Sequence, residues 1–123
     1  GRISAGVMVD KGSDLGGGCS TMGTLSGGGN IIISVGEECL IGANAGLGIP
    51  LGDRCTIEAG LFVTAGTKVA VLDDARKIVE TVAARDLAGR SDLLFRRNSL
   101  SGSVECLTNK TAIELNESLH ANN

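Results

Sequence analysis

The residues best suited to chemistry in this chain are consecutive: Arg96, Arg97, Asn98 and Ser99, just ahead of a Ser-Gly-Ser break at 101 to 103. Two guanidiniums, an amide and a hydroxyl are donors of the kind that bind oxyanions. On an alternating strand Arg96 and Arg97 point to opposite sides, so one of the two would meet an anion directly. A plainer reading is a basic strand edge that discourages edge-to-edge pairing. Other suggestive stretches are weaker. Ser26-Gly27-Gly28-Gly29-Asn30 has the glycine content of a phosphate-binding loop, but no Gly-Lys-Ser/Thr follows. Zinc-dependent hydration needs about three converging histidines. The single histidine, His120, lies in a polar tail and reads as a solvated terminal residue. No metal site is expected.

Composition narrows the classes of function further. A chain of 123 residues has room for one compact domain. Its 11 Lys+Arg against 14 Asp+Glu, with no basic run of five, lack the electrostatic footprint of nucleic-acid binding. Phe62 and Phe95 are the only aromatics, too few for a base-stacking platform. No apolar run approaches the length of a membrane span, and no signal-peptide pattern is present. The chain opens Gly1-Arg2-Ile3, already inside patterned sequence and without a start Met, and reads as the C-terminal piece of a longer protein.

Glycine is abundant, 19 residues, beside 42% hydrophobic content, which suits frequent turns between short buried strands rather than a disordered linker. Aliphatic residues recur every six positions: Ile3, Val9 and Leu15; Val35, Ile41 and Leu47; Leu51, Ile57, Val63 and Val69. Neither a helix nor an alternating strand has that period, whereas a hexapeptide β-helix does. The predicted fold is therefore all-β. It is a left-handed parallel β-helix, a triangular prism over residues 1–71 with a loop insertion at about 21–32. A C-terminal hairpin, extended segment and tail follow over 72–123. Cys19, Cys39 and Cys55 each lie four residues after an aliphatic marker, at an inward position that Ser13, Ala45 and Thr67 share. They read as core packing. Without C-x-x-C spacing or a disulfide framework, a reduced, cytoplasmic protein is expected.

After Val69 the period stops. Val69 to Leu72, the polar turn Asp73 to Lys77, and Ile78 to Val82 predict a hairpin leaving the prism, with a short helix over Ala75 to Leu87 as the competitor. Asp92 to Phe95 and on to Cys106-Leu107 reads as extended chain, and Thr108 to Asn123 as a polar tail.

Hexapeptide prisms can be purely structural, as in ice-binding or scaffold proteins, but no repeating row of Thr or charge is present here. Several words in the sequence point elsewhere: GRISAGVMVDKGSDLGGG, TMGTLSGGG, LIGANAGLGIPLGD, IEAGLFVTAGTKV and LLFRRNSLSG. Together they resemble the tetrahydrodipicolinate N-succinyltransferases of the actinobacterial type, from Gly1 to near His120 and interrupted only around residues 72 to 84. The resemblance implies a homotrimeric enzyme of lysine and diaminopimelate synthesis. It would transfer succinyl from succinyl-CoA, its co-substrate, to the amino group of ring-opened tetrahydrodipicolinate. The sites would lie between neighbouring prisms. Alternatives are another CoA-dependent hexapeptide acetyltransferase or a non-catalytic trimerisation prism.

The same resemblance places ligand contacts at Arg2, Gly17, Ser20, Ala43, Glu58, Ala59 and Gly66, with Arg96, Arg97, Asn98 and Ser99 at the phosphate end of coenzyme A. Small residues would let the pantetheine arm approach the prism; the plainer reading of each is ordinary turn chemistry. The family's catalytic glutamate belongs to a Glu-Gly-Arg word of which only Gly1-Arg2 is present. No catalytic residue is therefore expected within the chain, the nucleophile should precede Gly1, and the chain alone should trimerise but not turn over. A family lysine aligns with Ala83, and Lys77 would replace it only if the hairpin folds back. The Ser26–Asn30 stretch, where Gly27 takes the place of an inward aliphatic, reads as a loop bulging from one coil and a flexible wall of the inter-subunit cleft.

Overall fold

The computed structural model describes residues 8–21 and 33–108. Within them, short strands recur at the spacing of the aliphatic markers. The first coil carries β1 (Met8–Val9), β2 (Asp14–Leu15) and β3 (Ser20–Thr21); the second carries β4 (Ser34–Val35), β5 (Leu40–Ile41) and β6 (Gly46–Leu47). The third has a bridge at Leu51, then β7 (Thr56–Ile57) and β8 (Phe62–Val63). Stacking is parallel on three sides: β1 on β4, with Val35 bridged on to Leu51; β2 on β5 on β7; and β3 on β6 on β8.

Inside the prism the marker residues lie one above another, Val35 on Leu51, Ile41 on Ile57 and Leu47 on Val63, all almost fully buried. Burying each such side chain stabilises the fold by roughly 1.5–3 kcal/mol. Partners on the second and third coils are 16 residues apart, as Ile41 and Ile57 are, because the corner from Leu47 to Leu51 is two residues shorter than a hexapeptide. On the first and second coils they are 26 apart, as Leu15 and Ile41 are. The additional residues fall between Thr21, which pairs with Leu47 and is buried, and Ile33, which is buried like Ile49. Thr21 is thus a strand residue, and the stretch Ser26–Asn30, expected to bulge as a loop, lies outside the described residues.

Corner chemistry explains why glycine so often follows a marker. A Cβ on Gly16 would lie 2.5 Å from the Ala43 nitrogen, and one on Gly42 would fall on the backbone of Ala59. Real Cβ atoms do not approach backbone so closely, so the coils stack only if those positions have no side chain. Two corners also place a left-handed residue at a repeating position. Gly12, Glu38, Arg54 and Asp92 form one set and Gly18, Asn44 and Gly60 the other, with φ between 55° and 77°. Glycine meets that conformation at no cost, Asn44 and Asp92 tolerate it, and Glu38 and Arg54 hold it against their preference.

All four cysteines are free and buried. The Cys39 thiol donates to the Gly52 carbonyl (3.1 Å) and the Cys55 thiol to that of Arg90 (3.2 Å), so sulfur satisfies carbonyls of the adjoining coil. Ser13 does the same one coil earlier, donating to Gly36 oxygen at 2.7 Å and accepting from Cys39 N–H at 3.0 Å. Thr67 departs from the expected inward position. It is only half-buried, its hydroxyl accepts the Thr64 N–H at 2.9 Å, and Ala65 fills the interior instead. Residues Ala84 and Arg85, which donate to the carbonyls of Thr67 and Ala65, close the prism at that corner.

Beyond the third coil, β9 (Lys68–Leu72) pairs antiparallel with β10 (Ile78–Ala83), and a 3-10 turn covers Ala84–Leu87. Asp73 shapes the connection, its carboxylate accepting the N–H groups of Ala75 and Lys77. β11 (Leu93–Arg97) then stacks parallel on β7, placing Phe95 on Ile57 as though a fourth coil had begun. It pairs antiparallel with β12 (Val104–Thr108), which runs parallel to β9. The result is one seven-stranded sheet, β10-β9-β12-β11-β7-β5-β2. A bidentate pair between Arg54 and Asp92, at 2.7 and 3.1 Å, ties the third coil to this closing segment. That hydrogen bond and charge raise the Arg54 pKa further. Among the described residues no helix is long and apolar enough to cross a membrane.

Candidate functional site

The corner that follows β2, β5 and β7 is lined by small residues. Gly17, Ala43 and Ala59 occupy corresponding places on successive coils, exposed, and joined through Asn44 N–H to Gly17 oxygen (2.9 Å) and Gly60 N–H to Ala43 oxygen (2.8 Å). The same corner continues into β11, because Glu58 N–H donates to the Phe95 carbonyl at 3.0 Å. There the small residues give way to charge. An open cleft of about 430 Å³ is lined by Glu58, Arg96, Arg97, Asn98, Ser99, Leu100 and Glu105.

Each side chain in the cleft is set by the β11–β12 pairing. Arg96 lies directly across from Glu105, and its Nε donates to Glu105 Oε1 at 3.0 Å. Asn98 Nδ2 donates to the other carboxylate oxygen at 3.2 Å, while Asn98 Oδ1 accepts the N–H groups of Leu100 (2.9 Å) and Ser101 (3.0 Å). Such an Asx arrangement closes the connecting turn on itself. Arg97 Nη1 donates to the Gly102 carbonyl at 2.7 Å, and its backbone N–H reaches Glu58 Oε1 at 3.4 Å. Glu105 is 6% exposed, and Leu100 is 97% exposed at the turn's tip. The cleft therefore presents a fixed set of hydrogen-bond donors beside an apolar tip and an exposed carboxylate. That arrangement suits a ligand with oxyanions at one end and a slender body along the small-residue corner.

Of the residues singled out from the sequence, Glu58, Arg96, Arg97, Asn98 and Ser99 come together in this cleft, and Gly17, Ala43 and Ala59 stand on the corner leading to it. Ser20 lies on the neighbouring side, in register with Gly46 and Phe62. Gly66 sits at the turn before β9 and does not line the cleft. Arg2 is outside the described residues. Contrary to simple alternation, Arg96 and Arg97 both line the cleft, since the turn after β11 brings Arg97 back toward Gly102. Glu105 and Leu100 were not singled out. In the β11–β12 hairpin, whose centre falls between Leu100 and Ser101, Glu105 lies opposite Arg96 as an opposite-charge cross-strand pair, a register that the Ser101-Gly102-Ser103 break by itself misplaces. Among the described residues no group of His, Cys, Asp or Glu could hold a metal ion.

Residues 32–65, which hold the second and third coils, match the hexapeptide repeat of succinyl-transferase. Along its whole length the chain is similar to 2,3,4,5-tetrahydropyridine-2,6-dicarboxylate N-succinyltransferases: 77% identical over 123 residues to that of Pseudomonas paraeruginosa and 69% to that of Vibrio cholerae. The chain covers 36% of each of these proteins, so it spans about a third of the length of the curated relatives it matches. A crystal structure from Campylobacter jejuni, provisionally assigned as a 2,3,4,5-tetrahydropyridine-2-carboxylate N-succinyltransferase, superposes with a TM-score of 0.78 at 40% identity. That match covers 89% of this chain and 31% of the other.

Proposed function

We propose that this chain is the acyl-donor-binding portion of an N-succinyltransferase acting in lysine and diaminopimelate synthesis. The observation that carries the reading is the cleft of Glu58, Arg96, Arg97, Asn98 and Ser99 at the end of the Gly17–Ala43–Ala59 corner. Guanidinium, amide and hydroxyl donors suit the phosphates of coenzyme A. A corner without bulky side chains suits its pantetheine arm. The names of the relatives supply the acyl group and the class of acceptor.

In the proposed reaction the acceptor's amino nitrogen forms an amide bond to the succinyl carbonyl carbon. The carbon–sulfur bond breaks, and coenzyme A leaves as the thiol with a proton from the amine. The described cleft contributes binding, and no residue in it is assigned to the bond-making step. The prism would coil left-handed and assemble as a homotrimer, with clefts between neighbours, in keeping with closed cyclic symmetry. Four buried thiols suit a reducing compartment, and a cytoplasmic location is proposed on that ground.

The test is donor preference in the full natural chain, read by thiol release with an amine acceptor. Succinyl-CoA should exceed acetyl-CoA by at least about tenfold in kcat/KM, the ratio expected when one hydrogen bond to a charged group is lost. A reversed preference would identify an acetyltransferase, and no release with either donor would leave only a structural prism.

A further inference from the structure

The two adjacent arginines of the cleft do not stand in equivalent surroundings. Arg96 is held by Glu105, whose side chain retains 8% of its exposure and lies directly opposite on β12. A carboxylate that deep is stable only when its oxygens are hydrogen-bonded and its charge is compensated, and Arg96 Nε and Asn98 Nδ2 do both. Arg97 differs. It is an exposed residue, and its guanidinium donates to an uncharged acceptor, the Gly102 carbonyl. Most of the positive charge available to a ligand here therefore comes from Arg97, with Glu58 beside its backbone limiting where an anion can sit. The turn that supplies Gly102 is shaped by Asn98, and Asn98 is oriented by Glu105.

The geometry points to Glu105 as a positioning residue for acyl-donor binding. It neutralises Arg96 and, through Asn98, fixes the β11–β12 turn that holds Arg97, the side chain that meets the donor's phosphates. This assignment rests on the proposed donor site and gives it internal structure: one arginine is scaffold, the other is ligand contact. Breaking the Glu105–Asn98 tie loosens the turn, so the loss falls on the phosphate end and spares the pantetheine arm, which follows the Gly17–Ala43–Ala59 corner.

The experiment measures dissociation constants for coenzyme A and for pantetheine, which has the same thiol arm without the nucleotide phosphates. The full natural chain is compared with Glu105→Gln, Arg97→Ala and Asn98→Ala. Glutamine keeps the size of Glu105 but removes its charge and one acceptor oxygen. Coenzyme A should bind Glu105→Gln and Arg97→Ala about tenfold more weakly than the unmodified chain, the size of effect expected for charge-assisted bonds. Pantetheine affinity should stay within about twofold, the usual span for a substitution away from the contact surface.

Equal weakening of both ligands in Glu105→Gln would make Glu105 a merely structural residue and overturn the assignment. Unchanged coenzyme A affinity in that variant would overturn it too while leaving the donor site standing. If the unmodified chain does not prefer coenzyme A to pantetheine, the donor-site reading itself fails. Should Glu105→Gln not fold, Asn98→Ala severs the same tie from the exposed turn, and the same selective loss is expected of it.

Discussion

At the scale of single residues, sulfur in this protein is structural. Burial pushes the Cys55 thiol up to about 11 and the Cys106 thiol to about 12, from an ordinary value of 9.0. Thiolate is the reactive form, so these side chains should be inert in the folded chain. The same shift makes a statement about stability. Between pH 9 and 11 the unfolded chain releases these protons while the folded chain retains them, so stability is complete below pH 9 and falls as pH rises through that window. The melting temperature should drop across pH 9 to 11, and drop less steeply in a Cys55→Ala, Cys106→Ala variant. Identical slopes would show that the thiols are not the groups responsible. The placement of Cys19, Cys39 and Cys55 inside was legible in the sequence because each keeps one phase of the six-residue period. Thr67 was not, because the chain leaves the prism there and the residues that close the corner come from far along the sequence.

At the scale of elements, the strands are only two residues long in most of the prism, and none would be stable alone. What holds them is coil-on-coil stacking, and this depends on corners that bring backbone against backbone. Gly42 is the clearest case, since any Cβ there meets the Ala59 backbone rather than a movable side chain. Gly42→Ala should destabilise the fold by about 1–3 kcal/mol, the usual range for overpacking, measured by denaturant unfolding. The matched change Gly17→Ala, where a Cβ meets nothing within 4 Å, should lie close to neutral. Equal effects would mean that corner glycines are chosen for flexibility rather than space. This distinction was half visible beforehand: the recurrence of glycine after the markers is plain in the sequence, but which glycines have no room depends on the neighbouring coil. The β11–β12 pairing was less visible still. The turn that sets its register is centred on Leu100-Ser101 rather than on Gly102, and β11 is anchored by Phe95 stacking on Ile57, a contact across 38 positions that no local pattern announces.

At the scale of the whole molecule, prism and closing segment divide the work. The prism supplies a straight corner of small residues, and the segment after it supplies charge at one end of that corner. Gly17, Ala43 and Ala59 were singled out by the family resemblance, and the stacked coils bring them into line because their separations of 26 and 16 residues are those of the paired strands. The cleft is a product of tertiary pairing, and the sequence alone identified its donors but not Glu105, which orders them. The central claim is that this cleft receives the nucleotide end of an acyl-CoA. The most direct measurement is a crystal structure of the full natural chain with coenzyme A. Phosphate oxygens should lie within hydrogen-bond distance of Arg97, and the pantetheine arm should run along Ala59 and Ala43. Coenzyme A bound elsewhere, with the cleft between Glu58 and Leu100 empty, would contradict it.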